Sequence, residues 1–399
     1  MTRAAAVGSL RAGAVAAAAI LAAAPAARAQ PPAAAEPLPF VPHTIATELA
    51  GAYQAVAADL NADGRPDVIA LSTRLPELAW YENPGWERHV IADGLSRMIN
   101  VAAHDIDGDG IPELALAHDF SSTYADSVGI VSLLAHRGDP REMWSMREID
   151  RVPTTHRLRW ADADGSGAKV LVSAPLIGDE SLRPEFHDTL SLLWYRPDDW
   201  ERRTMTDAER GVVHGVGIGP WDDPDRDAVL SASFLGVHVH EFAGGGWIRT
   251  RVTAGDPSDW PASGASEAQA GRLGAERFVA TIEPWHGHQV VVYREAPGSG
   301  AWSRHVLDPS IDDGHTVVVG DLDGDGRDEI VAGERRGRQS VYLYRMGGGE
   351  AGWSRQVLDD GDMGAGGCAI ADLNLDGRPD VVCAGSRTAN LKWYENAGG

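Results

Sequence analysis

The sequence predicts an all-β protein, a seven-bladed β-propeller of four-stranded blades whose last blade is closed by the N-terminal strand. Three observations carry that expectation. Loops of one kind, acidic and glycine-rich, start at residues 59, 105, 162, 220, 269, 321 and 372, a period of about fifty residues that marks a repeat architecture. Each unit holds four short runs rich in Val, Ile, Leu and Tyr, set apart by Gly, Asp and Pro. Such runs read as strands, and four per unit make a propeller blade. The last unit stops at Trp393-Tyr-Glu-Asn396 without an outer strand, while His43-Thr-Ile45 at the other end of the chain supplies one. A ring closed in this way leaves no open sheet edge for aggregation.

Taken in order, residues 1–29 stand apart. Arg3 and Arg11 precede an Ala-rich apolar run ending in Ala27-Arg28-Ala29, the pattern of a secretory signal peptide. The run is too short and too alanine-rich for a good membrane span. The expected address is therefore periplasmic or secreted, with no membrane span in the mature protein. Residues 30–39, rich in Pro and Ala, read as a flexible spacer, and residues 40–399 as the propeller. The net charge of −23 argues against nucleic acid as a partner, because a phosphate backbone needs basic contacts. The two cysteines, Cys368 and Cys383, fall on consecutive strands of one hairpin. Export permits them to pair, and two free thiols are the alternative. The oligomeric state is left open.

The acidic loops come next. Four are complete. They carry Asp59, Asn61 and Asp63; Asp105, Asp107 and Asp109; Asp321, Asp323 and Asp325; and Asp372, Asn374 and Asp376. Each has an acid at its ninth position: Asp67, Glu113, Glu329 and Asp380. Alternating oxygen donors in a tight glycine turn suit calcium, which takes six to eight oxygens in a flexible cage. The ions would be structural, and a solvated turn without an ion is the competing reading. The third loop has Val170 at the ninth position, and the copies starting at 220 and 269 are worn. These units resemble the FG-GAP/VCBS repeats of integrin-type propellers, a resemblance that covers about residues 40–399 and implies the fold but not an activity.

The opposite face of the disc is expected to carry the chemistry. Six residues before each loop start stand Tyr53, Ile99, His156, His214, Ser263, His315 and Gly366. Three histidines at one register of the innermost strand should point into the central channel at one height. Three convergent neutral imidazoles form a catalytic zinc set with a fourth position open. The bland alternative is a wet channel lined by polar side chains. The loop Ile282-Glu283-Pro284-Trp285-His286-Gly287-His288 lies on the same face and adds Glu283 and His286 as acid–base candidates, with Tyr53 as a third.

At these residues a narrower resemblance emerges. Thr155-His-Arg-Leu-Arg-Trp160, Ser173-Ala-Pro-Leu-Ile-Gly178 and Thr281-Ile-Glu-Pro-Trp-His-Gly-His288 resemble the propeller domain of aldos-2-ulose dehydratase-type lyases. That resemblance implies zinc held by His156, His214 and His315, and a keto-sugar substrate such as 1,5-anhydrofructose that loses water. The chain departs from the family after the seventh blade, where no cupin or lectin domain is expected, so a second, isomerising step is not implied. Two other readings stand beside the lyase. One is a non-catalytic, calcium-stabilised propeller that binds a protein or glycan. The other is a polysaccharide lyase, which would need a basic cleft for uronates, against the acidic balance of the chain.

Overall fold

The computed structural model describes residues 36–296, 300–347 and 352–398, with a few scattered positions near the N-terminus. Apart from those positions, the expected signal peptide and most of the spacer lie outside the described residues. No helix among the described residues is long and apolar enough to cross a membrane.

The chain forms seven four-stranded antiparallel sheets. The innermost strands, one per blade, are Ala52–Ala58, Asn100–His104, Thr155–Ala161, Val213–Pro220, Glu267–Leu273, Gly314–Gly320 and Ala365–Ala371. In the seventh blade Phe40–Ala46 pairs antiparallel with Asn390–Asn396 and becomes its outer strand. The ring thus closes as the sequence predicts. Two opposed residues of that blade, Cys368 and Cys383, form a disulfide.

The apolar core lies between blades. Ile69, Leu71 and Trp80 of blade one pack against Leu114, Leu116 and Leu134 of blade two. At the closure Val68 and Ala70 meet Ala384, Leu391 and Trp393 of blade seven. Polar contacts tie the same seams. Asn83 and Asn396 end matching Trp-Tyr-Glu-Asn runs. Their side-chain amides donate to the Leu373 and Leu322 carbonyls of the preceding blades, each at 2.6 Å. Their backbone N–H groups donate to Asp67 and Asp380 at 2.8 Å. In blades one and seven the ninth-position acid therefore fastens the acidic loop to the end of its blade.

The fifth copy departs from its expected register. Its inner strand starts at Glu267, and Ser263 lies ahead of it, bonded through its hydroxyl to the Phe234 carbonyl. A short turn after Leu273 replaces an acidic loop there, so counting back from residue 269 set this blade four residues out of step.

Candidate metal centre

The inner strands aim their second residues by a common device. In blades one, three, four, six and seven the pairing to the next strand slips by one residue, at Tyr53, His156, His214, His315 and Gly366. Each is a β-bulge, whose extra residue leaves the ladder and re-aims its side chain. The inner strands of blades two and five pair without a shift. Alternation along a strand alone does not place the histidines; the bulge does.

The ring nitrogens of His214, His286 and His315 converge, with one ligand atom from each lying within 4.8 Å of the others. The expected trio had His156 in place of His286. His156 stands beside the group, its ring centroid 4.7 Å from that of His214. Its Nε2 is already engaged, 3.0 Å from the Tyr53 hydroxyl and 3.0 Å from Arg157 Nη1, and its buried Nδ1 has no partner among the described residues. The Tyr53 hydroxyl also reaches His315 Nε2 at 3.1 Å, so it bridges His156 to the trio.

Partners at Nδ1 fix which nitrogen faces the channel. His315 Nδ1 donates to the Gly366 carbonyl at 2.5 Å. Glu267 Oε1 accepts from Arg157 Nη2 at 2.8 Å and lies 2.8 Å from His214 Nδ1 as a charge partner, while the Ser266 hydroxyl is the hydrogen-bond partner of that nitrogen at 3.3 Å. His315 therefore carries its proton on Nδ1 and presents a lone pair at Nε2, and the Glu267 carboxylate beside His214 Nδ1 favours the same tautomer there, the arrangement that carboxylate or carbonyl partners impose on metal-binding histidines. Gly366 suits its role, because a Cβ there would lie 2.9 Å from the Tyr53 carbonyl. Burial pushes the His156, His214 and His315 imidazoles well below their ordinary range, and the Arg157 and Arg335 charges add to it. His286 is lowered by burial and Arg335 to about 3. Four neutral imidazoles at neutral pH are what a metal requires of its ligands.

His286 arrives from a tight loop of blade five, in left-handed backbone at φ 49°. A Cβ on the next residue, Gly287, would sit 2.1 Å from the Glu283 carbonyl. The His286 Nε2 lies 3.2 Å from His214 Nε2, and its Nδ1 faces Arg335 at 3.1 Å and Asp313 at 3.4 Å. Strained positions of this kind cluster at functional sites.

Glu283 is a correction. Its carboxylate is fully buried, with Oε1 accepting from Thr281 and Tyr293 at 2.8 Å each and Oε2 from Arg304 at 2.7 Å. Every one of these groups belongs to its own blade, so Glu283 braces the loop and does not face the channel. The carboxylate that does face it is Glu267, which the slipped register concealed. Arg157 and Asp313 were also missed, and Arg335 was one of several charged loop residues on this face that the sequence did not rank apart. Arg157 was in view beside His156, but nothing in the pattern distinguished it from a solvated arginine. Trp285 packs against Phe186 and Phe234, with ring centroids at 5.5 and 5.7 Å, which makes it a packing residue.

On the other face, Asp105, Asp107 and Glu113 form one group of converging oxygens, and Asp321, Asp323 and Asp325 another. Glu113, Glu329, Asp67 and Asp380 each accept a backbone N–H from the second residue of their loop. Burial, with the neighbouring loop carboxylates adding to it, raises Asp67 and Glu329 to about 7 and Asp380 to about 6. In the third loop the anchor comes from the next blade, where Asp227 accepts the Asp162 N–H at 2.8 Å.

Comparison with known proteins agrees with both resemblances. A model of the FG-GAP-like repeat matches residues 59–116 and 321–383. The model of the aldos-2-ulose dehydratase β-propeller domain matches residues 128–296, which include His156, His214 and His286. The aldos-2-ulose dehydratase of Phanerodontia chrysosporium is 30% identical over 284 residues, 62% of this chain. The match spans 31% of that relative's length. Two solved structures share the fold alone. One is the Dos1 propeller (TM-score 0.52, 8% identity, 84% of this chain and 76% of that one). The other is a chain of the mitotic checkpoint complex (TM-score 0.54, 12% identity, 94% and 98%).

Proposed function

We propose that this protein is an exported, zinc-dependent carbohydrate lyase that eliminates water from a keto-sugar of the 1,5-anhydrofructose type. The observation that carries the reading is the pair of Nε2 lone pairs, on His214 and His315, fixed by Glu267 and Gly366 and joined by His286. Sequence relatedness to the propeller of a carbohydrate dehydratase supports the reaction class. Zinc fits this donor set: three imidazoles, two with their outer nitrogens held, and a fourth position left for substrate. Bound there, it would supply a Lewis acid for the negative charge that develops on oxygen when a proton leaves the carbon beside a carbonyl.

The chain's own groups handle the protons. Elimination breaks a C–H bond and a C–O bond and releases the hydroxyl with a proton as water. Tyr53, whose hydroxyl lies between His156 and His315, is placed to pass a proton to or from substrate, with His156 as its relay. Arg157 holds His156 through Nε2 and Glu267 through the carboxylate, so it positions both sides of the centre.

The reading is tested by zinc analysis together with a keto-sugar screen for ultraviolet-absorbing enone products. Wild type should contain about one zinc per chain and form the enone. The His214→Ala/His315→Ala protein should lose both while keeping its β-sheet circular dichroism. Undiminished enone formation in that variant would remove the histidine centre from the reaction. The complete acidic loops are proposed as structural calcium sites, in which the ion would offset the carboxylate repulsion that burial aggravates.

A further inference from the structure

The mouth above the histidines opens into a cleft of about 550 Å³, walled in part by Tyr53. Its charged lining is Arg74, Arg335, Arg336 and Arg387 against a single carboxylate, Asp313. In a chain of net charge −23 that is a local reversal of sign. Asp313 is already committed, to Arg335 at 2.8 Å and Arg336 at 3.1 Å. Arg74 and Arg387 are exposed, and their guanidinium groups have no hydrogen-bond or ion-pair partner among the described residues.

The arginines are not scattered. Arg74, Arg336 and Arg387 each stand two residues beyond the end of their blade's second strand, after Ser72, Glu334 and Gly385. Blades six, seven and one are consecutive around the ring, so three adjacent loops present the same side chain at the same place. The matching residues of the other four blades are Phe120, Ile177, Leu235 and Trp285. The arginines are therefore confined to one side of the ring, while at the matching places on the other side Phe120, Ile177 and Trp285 pack into an apolar cluster. Tyr53, Asp313 and Arg335 belong to the cleft and to the histidine centre alike, since each lines the cleft and each touches a histidine of the centre.

We propose that this cleft is an oxyanion subsite, and that the carbohydrate handled here carries a carboxylate or an ester sulfate. Guanidinium forks match both groups in charge and bidentate geometry. The anion would sit between Arg74 and Arg387 while the adjoining ring carbons reach the histidines, so among keto-sugars of the proposed type an acidic derivative is preferred to its neutral parent. The proposal rests on reading the histidine centre as a carbohydrate site, but it is measured separately.

The test is calorimetric titration of the wild-type protein and an Arg74→Ala/Arg387→Ala variant with D-glucuronate, D-glucose 6-sulfate and D-glucose. At least one anion should bind wild type about tenfold or more tighter than glucose. Added sodium chloride should erode that preference. The double variant should lose it while keeping its zinc. Advantage for glucuronate alone assigns a carboxylate, and for the sulfate alone an ester sulfate. Equal binding of all three sugars, or an anion preference that survives both substitutions, overturns the subsite. Zinc content and enone formation report on the histidine centre independently, so loss of those signals with the anion preference intact would sink the metal reading and leave the cleft standing.

Discussion

Glu267 is the residue on which the histidine centre turns. One of its oxygens accepts from Arg157 and lies 2.8 Å from His214 Nδ1 as a charge partner, and so faces a ligand and its neighbour at once. Burial raises its pKa, and the Arg157 charge opposes that rise. Glu267→Gln keeps an acceptor but removes the charge, and zinc affinity should fall roughly 10- to 100-fold, as for other outer partners of metal-bound histidines. Competition with a chromophoric chelator measures it, and unchanged affinity would leave Glu267 a structural partner of Arg157 only. At this scale the sequence was partly legible. His156, His214 and His315 stood out because bulges at one register leave equal spacing to the next loop. His286 stood out by its motif. Glu267 did not, because its blade has no acidic loop to count from.

At the scale of the element, the acidic hairpin and the bulge divide the work of the inner strand in blades one, six and seven, which carry both. The bulge at the strand's start re-aims one side chain into the channel, and the loop at its end fastens neighbouring blades through a buried acid. The loop was fully legible, since its chemistry is a contiguous run. The bulge was not, since it depends on the partner strand. If the loops hold calcium, chelation by EGTA should lower the thermal midpoint of the wild-type protein. Each site would forfeit about 2.7 kcal/mol at an ion concentration of 100 times Kd. Asp321→Ala should reduce the EGTA-sensitive part of the shift. A midpoint indifferent to both would mark the loops as ion-free turns.

At the scale of the whole molecule, the fold was legible from its period, and the closure by Phe40–Ala46 from the missing strand of the last blade. The sign of local charge was not, because a net charge sums over a surface that the fold sorts into faces. The acidic balance counted against a basic cleft, yet three adjacent loops build one. Charge also sets the acid limit of the ring. Glu209, on the outer strand of blade three, is buried against blade four, where Ser231 and Ser233 donate at 2.9 and 3.0 Å and Arg249 at 3.0 Å. Burial opposes its ionisation, but His240, 3.6 Å away, and the Arg249 hydrogen bond prevail and hold its pKa far below the usual carboxylate range. A depressed folded-state pKa contributes stability above the unfolded value of about 4.3, lost as pH falls below it. Denaturant titrations from pH 6 to pH 3 should therefore show a steeper loss of stability in wild type than in Glu209→Gln. Parallel profiles would mean that another carboxylate sets the acid limb.

The centre itself is tested most directly by crystals of the zinc-loaded protein measured on both sides of the zinc absorption edge. The expected result is one anomalous peak enclosed by His214, His286 and His315, with Tyr53 beside it and His156 one step away. A zinc peak confined to the acidic loops, or no peak in the channel of fully loaded protein, would contradict it.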